Sequence, residues 1–271
     1  MNLHQRILTY NDCYLKGQTI RPKGVMVHST GANNPNLSRY VGPDDGLLGQ
    51  NPNNNHWNMS GVGACVHAFI GRLADGSIAS YQTLPWNWRG WHCGSGRSGS
   101  ANNTHISFEI CEDGLDDREY FDAVYREAVE LTAHLCELYG LDPLEDGVVI
   151  CHSEGYRRGV ASNHGDVMHW FPKFGKNMDG FRADVSRELK GDEDDMTQEQ
   201  FNQMMTEYER TKNPVPDNTP ADWEAPAVQW ARDNGLLAGD GSGNLMLHSN
   251  MTRAQFLVML KKYHEKKSEI R

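Results

Sequence analysis

The sequence has no long apolar run, no closely spaced cysteine pair and no excess of basic residues. No stretch approaches the roughly 18 apolar residues of a membrane-spanning helix, and residues 1–20 contain no apolar core of signal-peptide type. The six cysteines lack the C-x-x-C spacing of zinc ribbons and redox pairs. With 26 Lys and Arg against 36 Asp and Glu, the net charge of −10 gives no electrostatic basis for binding a nucleic-acid backbone. We therefore expect no membrane and no nucleic acid as partners, synthesis in the cytoplasm without a signal peptide, and reduced cysteines.

Histidine, in contrast, is abundant. The 271 residues include 12 histidines, and nine of these fall between His28 and His169. Hydrophobic residues make up 38% of the chain, which is enough for a buried core. A globular protein with this many clustered imidazoles is a candidate for metal binding.

The region from about 22 to 190 has the pattern of a mixed α/β domain. Short runs of β-branched and aromatic residues, bounded by turn formers, predict five strands, at 25–28, 65–70, 77–82, 105–110 and 148–151. Apolar residues recur every three or four positions over 117–140, which predicts a helix that Gly140 ends. A second helix is predicted over 178–189. We expect one sheet with these helices packed on it.

The composition changes after Lys190, where the acidic run GDEDD is typical of a linker. We therefore place a boundary near 191 and predict two domains, 1–190 and 191–271. The second contains an internal repeat, MTQEQFNQMMTEYER from Met196 and MTRAQFLVMLKKYHE from Met251. Each copy has the T-x-x-Q spacing of a helix-capping box, and another helix is predicted between them with Gly235 as its end. The second domain should be small and all-α.

Two histidines follow apolar strand-like runs directly. His28 ends VMVH and His152 follows VVIC, so both side chains are expected at the rim of the sheet. Catalytic zinc takes three protein ligands and keeps one position for water. Two strand-end histidines and one ligand from a following loop would satisfy that number, although a histidine at a strand end is also compatible with a merely polar terminus.

The order of several motifs resembles a known family. VHST, VHAFIGRLADGSIASYQTLPWNWRGWHCG, NNTHISFEIC and CHSE follow one another as in the type 2 N-acetylmuramoyl-L-alanine amidases, which are relatives of the peptidoglycan recognition proteins. Phage and prophage lysins of Gram-positive bacteria often carry this domain. The resemblance covers roughly residues 22–190. It implies a mixed central β-sheet flanked by helices, a Zn²⁺ cofactor, and cleavage of the amide between N-acetylmuramic acid and L-alanine in peptidoglycan.

The resemblance also implies site residues. His28 matches the family's first zinc ligand, and His152 matches the second. Glu109, in ISFEI, matches the acidic residue that orients or deprotonates the attacking water. A carboxylate within hydrogen-bond reach of that water is what general-base catalysis requires. Without the resemblance, a strand-borne Glu would be interpreted as a solvated or paired carboxylate.

The third ligand is where this chain departs from the family pattern. The family usually has Cys-Pro or Asp-Pro there, with a Lys two residues earlier that stabilises the developing oxyanion. This chain reads NHGDVMHW over 163–170, with neither that Pro nor that Lys. Alignment on the Lys-x-Asp pattern makes Asp166 the ligand and puts His164 in the place of the Lys. Counting back from the helix at 178–189 points to His169 instead. We favour Asp166, because it keeps a group that can be cationic two residues upstream.

Other residues near these motifs have two interpretations each. His67 and His92 could line the groove, or could be hydrogen-bonded structural groups. Trp86, Trp88 and Trp91 could stack on sugar or peptide, or could be buried. Cys151 invites interpretation as a nucleophile, but its position in VVIC favours a small buried hydrophobe.

The C-terminal segment resembles a single S-layer homology motif preceded by a partial copy. The likeness lies in the W-A-x-x-x-G-L-L-x-G run over 230–239 and in the MTRAQFLVML that follows. Such modules bind cell-wall polymers, commonly as three repeats. This one could bind the wall weakly, be shared by two chains as a homodimer, or only pack.

The combined prediction is a phage or prophage endolysin that is released to the bacterial cell wall and hydrolyses peptidoglycan there. Two other interpretations remain open. One is a peptidoglycan-binding protein without catalysis, and the other is a zinc peptidase that cuts within the stem peptide.

Overall fold

The computed structural model describes residues 1–191, 201–206, 208, 217–241 and 243–269. The chain divides into two compact units, Met1–Glu193 and Asp194–Arg271, and each is described by itself. Among the described residues, no helix has both the length and the apolar character needed to cross a membrane.

The first unit is built on a mixed sheet of six strands. These are β1 (Leu3–Gln5), β2 (Gly24–Asn33), β3 (Ala68–Arg72), β4 (Ile78–Gln82), β5 (His105–Glu112) and β6 (Val149–Cys151). Their order is β1-β4-β3-β5-β2-β6, with β3 and β4 antiparallel and every other pair parallel. The predicted mixed central sheet flanked by helices is confirmed, and so are the five predicted strands, with ends shifted by a few residues.

The described residues of this unit form four α-helices: α1 (Asp12–Lys16), α2 (Arg118–Tyr139), α3 (His152–Arg158) and α4 (Met178–Leu189). The long helix α2 begins where the Asp117 side chain accepts a hydrogen bond from the Tyr120 N–H, and it ends at Gly140, whose φ of 63° a glycine adopts without strain. Both predicted helices are confirmed. The sequence did not predict α1 or α3, because helices of five and seven residues are too short to show a period. It did not predict β1 because the residues LHQ include no β-branched or aromatic side chain.

Alternation along the central strands divides the core into two layers. Val25 and Val27 of β2 pack with the aromatic layer of α2 and α4, where Phe121 and Tyr125 contact Phe171 and Phe181. Met26 belongs to a separate cluster with Cys93, Ala101, Ile150 and Ala161. Side chains at alternate strand positions point to opposite faces. Met26 and His28 therefore share the sheet face that α2 and α4 leave uncovered.

In the second unit, every regular element of the described residues is helical. Residues 201–206 are helical, followed by α5 (Ala225–Asp233) and α6 (Arg253–Glu269). Gly235 follows α5 with a φ of 64°, as its predicted role at the helix end requires. The predicted capping box at Thr252 is present, because the Gln255 N–H donates to Thr252 Oγ1 at 3.2 Å and the Thr252 N–H donates to Gln255 Oε1 at 2.8 Å. The corresponding Thr197 and Gln200, and most of the predicted linker, lie outside the described residues.

Candidate metal centre

His28 and Glu109 are placed side by side by the pairing of β2 with β5. The register of these parallel strands sets His28 opposite Glu109, and the regular pairing shifts after Ser29. His28 is therefore not at the end of its strand, as the sequence had suggested, because β2 continues to Asn33. The candidate site therefore lies where the regular pairing of β2 with β5 ends.

His152 is fixed by the N-terminus of α3. It is the first residue of that helix, directly after β6, and Cys151 pairs with Val27 in the sheet. The helix start is clamped because the Cys151 N–H donates to Glu154 Oε2 at 3.2 Å, and Arg182 of α4 pairs with Glu154 at 3.0 Å. This clamp holds the His152 imidazole, which is 4% exposed, beside that of His28.

Asp166 completes a cluster of three potential metal ligands. His28 Nδ1 lies 3.0 Å from Asp166 Oδ2 and 3.1 Å from His152 Nδ1, and His152 Nδ1 lies 3.5 Å from Asp166 Oδ2. Tetrahedral zinc with bonds of about 2.0–2.1 Å separates its ligand atoms by about 3.3 Å. The three atoms thus have the spacing of ligands around one ion, and the cluster could bind a metal.

The electrostatics of the cluster favour a neutral His28 facing an ionised Asp166. Burial lowers the pKa of His28, although Asp166 opposes this shift. Burial also acts against ionisation of Asp166, but hydrogen bonds to His152 and His28 hold the pKa of this carboxyl below its usual range. A metal requires deprotonated ligands, so these directions favour metal binding.

The ring nitrogens that face away from the cluster have partners of their own. His28 Nε2 lies 3.0 Å from His92 Nδ1, and His152 Nε2 lies 3.3 Å from Ser162 Oγ. Ser162 donates to the Cys93 carbonyl at 3.1 Å, and its oxygen lies 3.1 Å from His164 Nδ1. Partners of this kind fix the tautomer and orientation of metal-binding histidines.

Glu109 lies in the same cleft and carries an unpartnered oxygen. Its Oε2 atom is buried without a hydrogen-bond partner in the described part of the chain. Burial raises the pKa of Glu109 well above its usual range, and the negative charges of Asp166 and Glu112 add to the effect. A buried carboxylate oxygen without a partner is costly unless a substrate or water occupies it.

One cleft of about 620 Å³ contains all the predicted site residues: His28, Glu109, His152, His164, Asp166 and His169. His169 lines this cleft but stands outside the three-ligand cluster. Its Nε2 atom lies 2.9 Å from Glu112 Oε1, so it forms a separate pair. The geometry therefore brings Asp166, rather than His169, to the two histidines.

The structure also distinguishes between the two interpretations of the other histidines, the tryptophans and Cys151. His92 and Trp91 line the cleft, whereas His67 is fully buried and bonded to Trp88 O at 2.7 Å and to the Ser107 N–H at 3.0 Å. Trp86 and Trp88 pack against core clusters. Cys151 is fully buried, and burial raises the pKa of its thiol, as expected for a small hydrophobe. Sequence reasoning missed Ser162, because a serine in an irregular segment carries no signal of its own.

Comparisons with known proteins give a family and a fold. Residues 18–168, more than half of the chain, match the family N-acetylmuramoyl-L-alanine amidase. Among solved structures, the hydrolase AmiA of Staphylococcus aureus in complex with its ligand is 18% identical, with a TM-score of 0.50 over 70% of this chain and 83% of AmiA.

Two further solved structures have lower TM-scores. A structure of PlyL is 19% identical, with a TM-score of 0.45 over 68% of this chain and 96% of PlyL. A mutant endolysin from Bacillus subtilis is 23% identical, with a TM-score of 0.43 over 68% of this chain and 99% of the endolysin. No curated protein sequence gives a significant match. At these identities the structural likeness concerns the fold.

Proposed function

Because the chain belongs to the N-acetylmuramoyl-L-alanine amidase family, we propose that it is a zinc-dependent peptidoglycan hydrolase that cuts the bond between N-acetylmuramic acid and L-alanine. One observation carries the zinc dependence: three ligand atoms, from His28, His152 and Asp166, converge within 4.8 Å of one another. Glu109 lies in the same cleft with a free buried oxygen.

In this proposal His28 Nδ1, His152 Nδ1 and Asp166 Oδ2 hold the zinc ion. The metal would supply Lewis acidity and lower the pKa of a water molecule toward about 7. The outward contacts support this assignment, since His28 Nε2–H donates to His92 Nδ1 and His152 Nε2–H donates to Ser162 Oγ. Both histidines then direct Nδ1 to the ion. Asp166 is preferred to His169 as third ligand, because His169 is paired with Glu112.

Glu109 is the proposed general base and acid. Its Oε2 atom accepts a proton from water as the water oxygen forms a bond with the lactyl carbonyl carbon. It then gives that proton to the L-alanine nitrogen as the carbon–nitrogen bond breaks, which leaves a lactyl carboxylic acid and a free amine. A raised pKa makes the carboxylate a better proton acceptor and suits both transfers.

His164 is the proposed stabiliser of the oxyanion. The Ser162 hydroxyl donates its hydrogen to the Cys93 carbonyl, so Ser162 Oγ can only accept from His164, and His164 Nδ1–H is the donor. His164 also lines the cleft, and its imidazolium form would present Nε2–H there as a second donor. A fixed donor directed at the oxygen where negative charge develops is the usual source of such stabilisation.

We also propose that the protein acts as a phage or prophage endolysin at the bacterial cell wall, with domains 1–190 and 191–271. The second domain would contact a cell-wall polymer, either alone or as a homodimer. The net charge of −10 argues against non-specific attraction to a polyanionic wall, so this contact must be specific or aided by cations.

The test is digestion of purified Gram-positive cell wall with and without a zinc chelator, followed by end-group labelling and mass spectrometry. We expect release of free N-terminal L-alanine that the chelator abolishes and zinc restores, without new reducing sugar ends. His28→Ala should lose zinc and activity together, whereas Glu109→Gln should keep zinc and lose activity. Sedimentation with the wall without any release would favour a binding protein, and a different new amine would move the cut into the stem peptide.

A further inference from the structure

A second cleft adjoins the proposed zinc site. It encloses about 420 Å³, and Ala64 and Trp91 line both clefts. The shared wall is rigid, because the Cys65 N–H donates to the Trp91 carbonyl at 3.1 Å and the Trp91 N–H donates to the Cys65 carbonyl at 3.0 Å. A ligand bound at the zinc site could therefore extend past this wall into the second cleft.

The second cleft is lined by cations and by no acidic side chain. Its charged lining residues are Lys16 and Arg89. Within the described part of the chain, neither forms an ion pair within 4 Å. The adjoining cleft instead contains Glu109 and Asp166. In a protein of net charge −10, two unpaired cations in one concavity favour an anionic ligand.

A backbone hydrogen bond joins the two segments that carry these cations. The Arg89 N–H donates to the Gln18 carbonyl at 2.7 Å, which fixes the segment after α1 beside the segment that carries Arg89. Arg89 Nε donates to Asn103 Oδ1 at 2.7 Å, so both terminal nitrogens of the guanidinium stay available. A guanidinium presented in this way can bind a carboxylate through two parallel hydrogen bonds.

Two other residues that line the second cleft, Trp91 and Cys13, lie close to its cations. The Arg89 guanidinium lies 5.3 Å from the centre of the Trp91 ring, which is 46% exposed at the rim. Cys13 also lines this cleft; the neighbouring Cys65 thiol lowers the pKa of the Cys13 thiol, and the charges of Lys16 and Arg89 lower it further. The cleft therefore combines an aromatic rim with a positively charged interior.

We propose that this cleft, formed by Lys16, Arg89 and Trp91, binds a carboxylate group of the peptide that continues from the scissile amide. The inference rests on the proposed function, since it assigns the peptide side of that substrate to the adjoining cleft. A wall phosphate offers similar charge, but it is not tethered to the bond that is cut. The peptide carboxylate is tethered, so binding it in the second cleft fixes the amide at the zinc site.

The experiment uses soluble muramyl peptides that differ only in whether their peptide carboxyl groups are free or amidated. With the zinc-loaded full chain, the free acid should have a KM about tenfold lower than the amidated peptide, with similar kcat, because charged hydrogen bonds are lost on amidation. The double variant K16Q/R89Q should lose this preference. The charge-retaining variant K16R should keep it, because the guanidinium at position 89 is unchanged.

The matched control removes the same charge elsewhere. Arg126 and Lys173 are exposed and line neither cleft, so R126Q/K173Q should behave as wild type. Equal KM values for both peptides in the wild type, or a preference that survives in K16Q/R89Q, would overturn the assignment. Competition by millimolar glycerol phosphate without any peptide preference would point to a wall phosphate instead.

Calorimetric binding of the same two peptides separates this inference from the proposed function. If no peptide is cleaved but the free acid still binds more tightly in a manner that depends on Lys16 and Arg89, the cleft assignment stands and the hydrolase proposal fails. If both peptides are cleaved equally well and bind equally well, the hydrolase stands and the cleft assignment fails.

Discussion

Protonation of His67 should weaken the fold in mildly acidic solution. His67 is fully buried, and burial is the main cause that lowers its pKa from 6.5 to about 4. Its Nε2–H donates to the Trp88 carbonyl, and its Nδ1 accepts from the Ser107 N–H. If the ring were protonated, its Nδ1–H would face the Ser107 N–H and that hydrogen bond would be lost. The neutral ring connects β5 to the segment that carries Trp91 and His92, so this bond also supports the wall of the site.

The sign and size of the effect follow from proton linkage. Because the pKa is lower in the folded state, the unfolded chain binds the proton more readily. The stability that His67 contributes is therefore complete above pH 6.5 and is lost as the pH falls toward 4. At 1.36 kcal/mol per pKa unit, the loss from this residue between pH 7 and pH 5 is about 2 kcal/mol.

The assay compares wild type with His67→Gln, which has similar volume but does not titrate. Urea unfolding followed by tryptophan fluorescence would be measured at both pH values, with a chelator present so that metal release does not contribute. All other titrating groups cancel in the difference between the two proteins. The stability difference should shrink by about 2 kcal/mol from pH 7 to pH 5. A difference that stays constant over this range would refute the reasoning.

Four further outcomes are expected. Glu109→Gln should reduce kcat by about 10²–10⁴ while zinc stoichiometry by atomic absorption stays at one per chain, and loss of the metal would instead make this residue a ligand. His92→Phe should weaken zinc binding by about 10–100-fold in a chelator competition; unchanged affinity would remove it from the metal's support. Truncation after Lys190 should leave a folded domain that binds zinc but is retained less by cell walls, and an insoluble fragment would contradict the boundary. His248 should titrate above pH 6.5 by NMR, because Asp217 and then Glu224 raise its pKa. Asp217→Asn should lower that value, and an unchanged value would contradict the contact.

The sequence predicted more of the fold than of the site's surroundings. Long apolar periods predicted α2 and α4, and strand patterns predicted five of the six strands. The short elements β1, α1 and α3 had no usable period. His28 and His152 were predicted at the rim of the sheet from their positions after apolar runs; His28 lies within a strand and His152 begins a helix.

What the sequence determined by itself is the set of chemical groups and the strands that present them. Alternation along β2 and β5 already requires His28 and Glu109 to face away from the apolar layer. The choice between Asp166 and His169 was different, because both lie in one irregular segment and only three residues apart. Only the tertiary structure separates the two, because it brings Asp166 Oδ2 to 3.0 Å from His28 Nδ1 and His169 Nε2 to 2.9 Å from Glu112 Oε1. The same holds for Lys16 and Arg89, which are 73 positions apart in the sequence and line one cleft because the Arg89 N–H bonds to the Gln18 carbonyl, close to Lys16 in the chain. Distances between residues far apart along the chain depend on how the whole core packs, and no local pattern contains them.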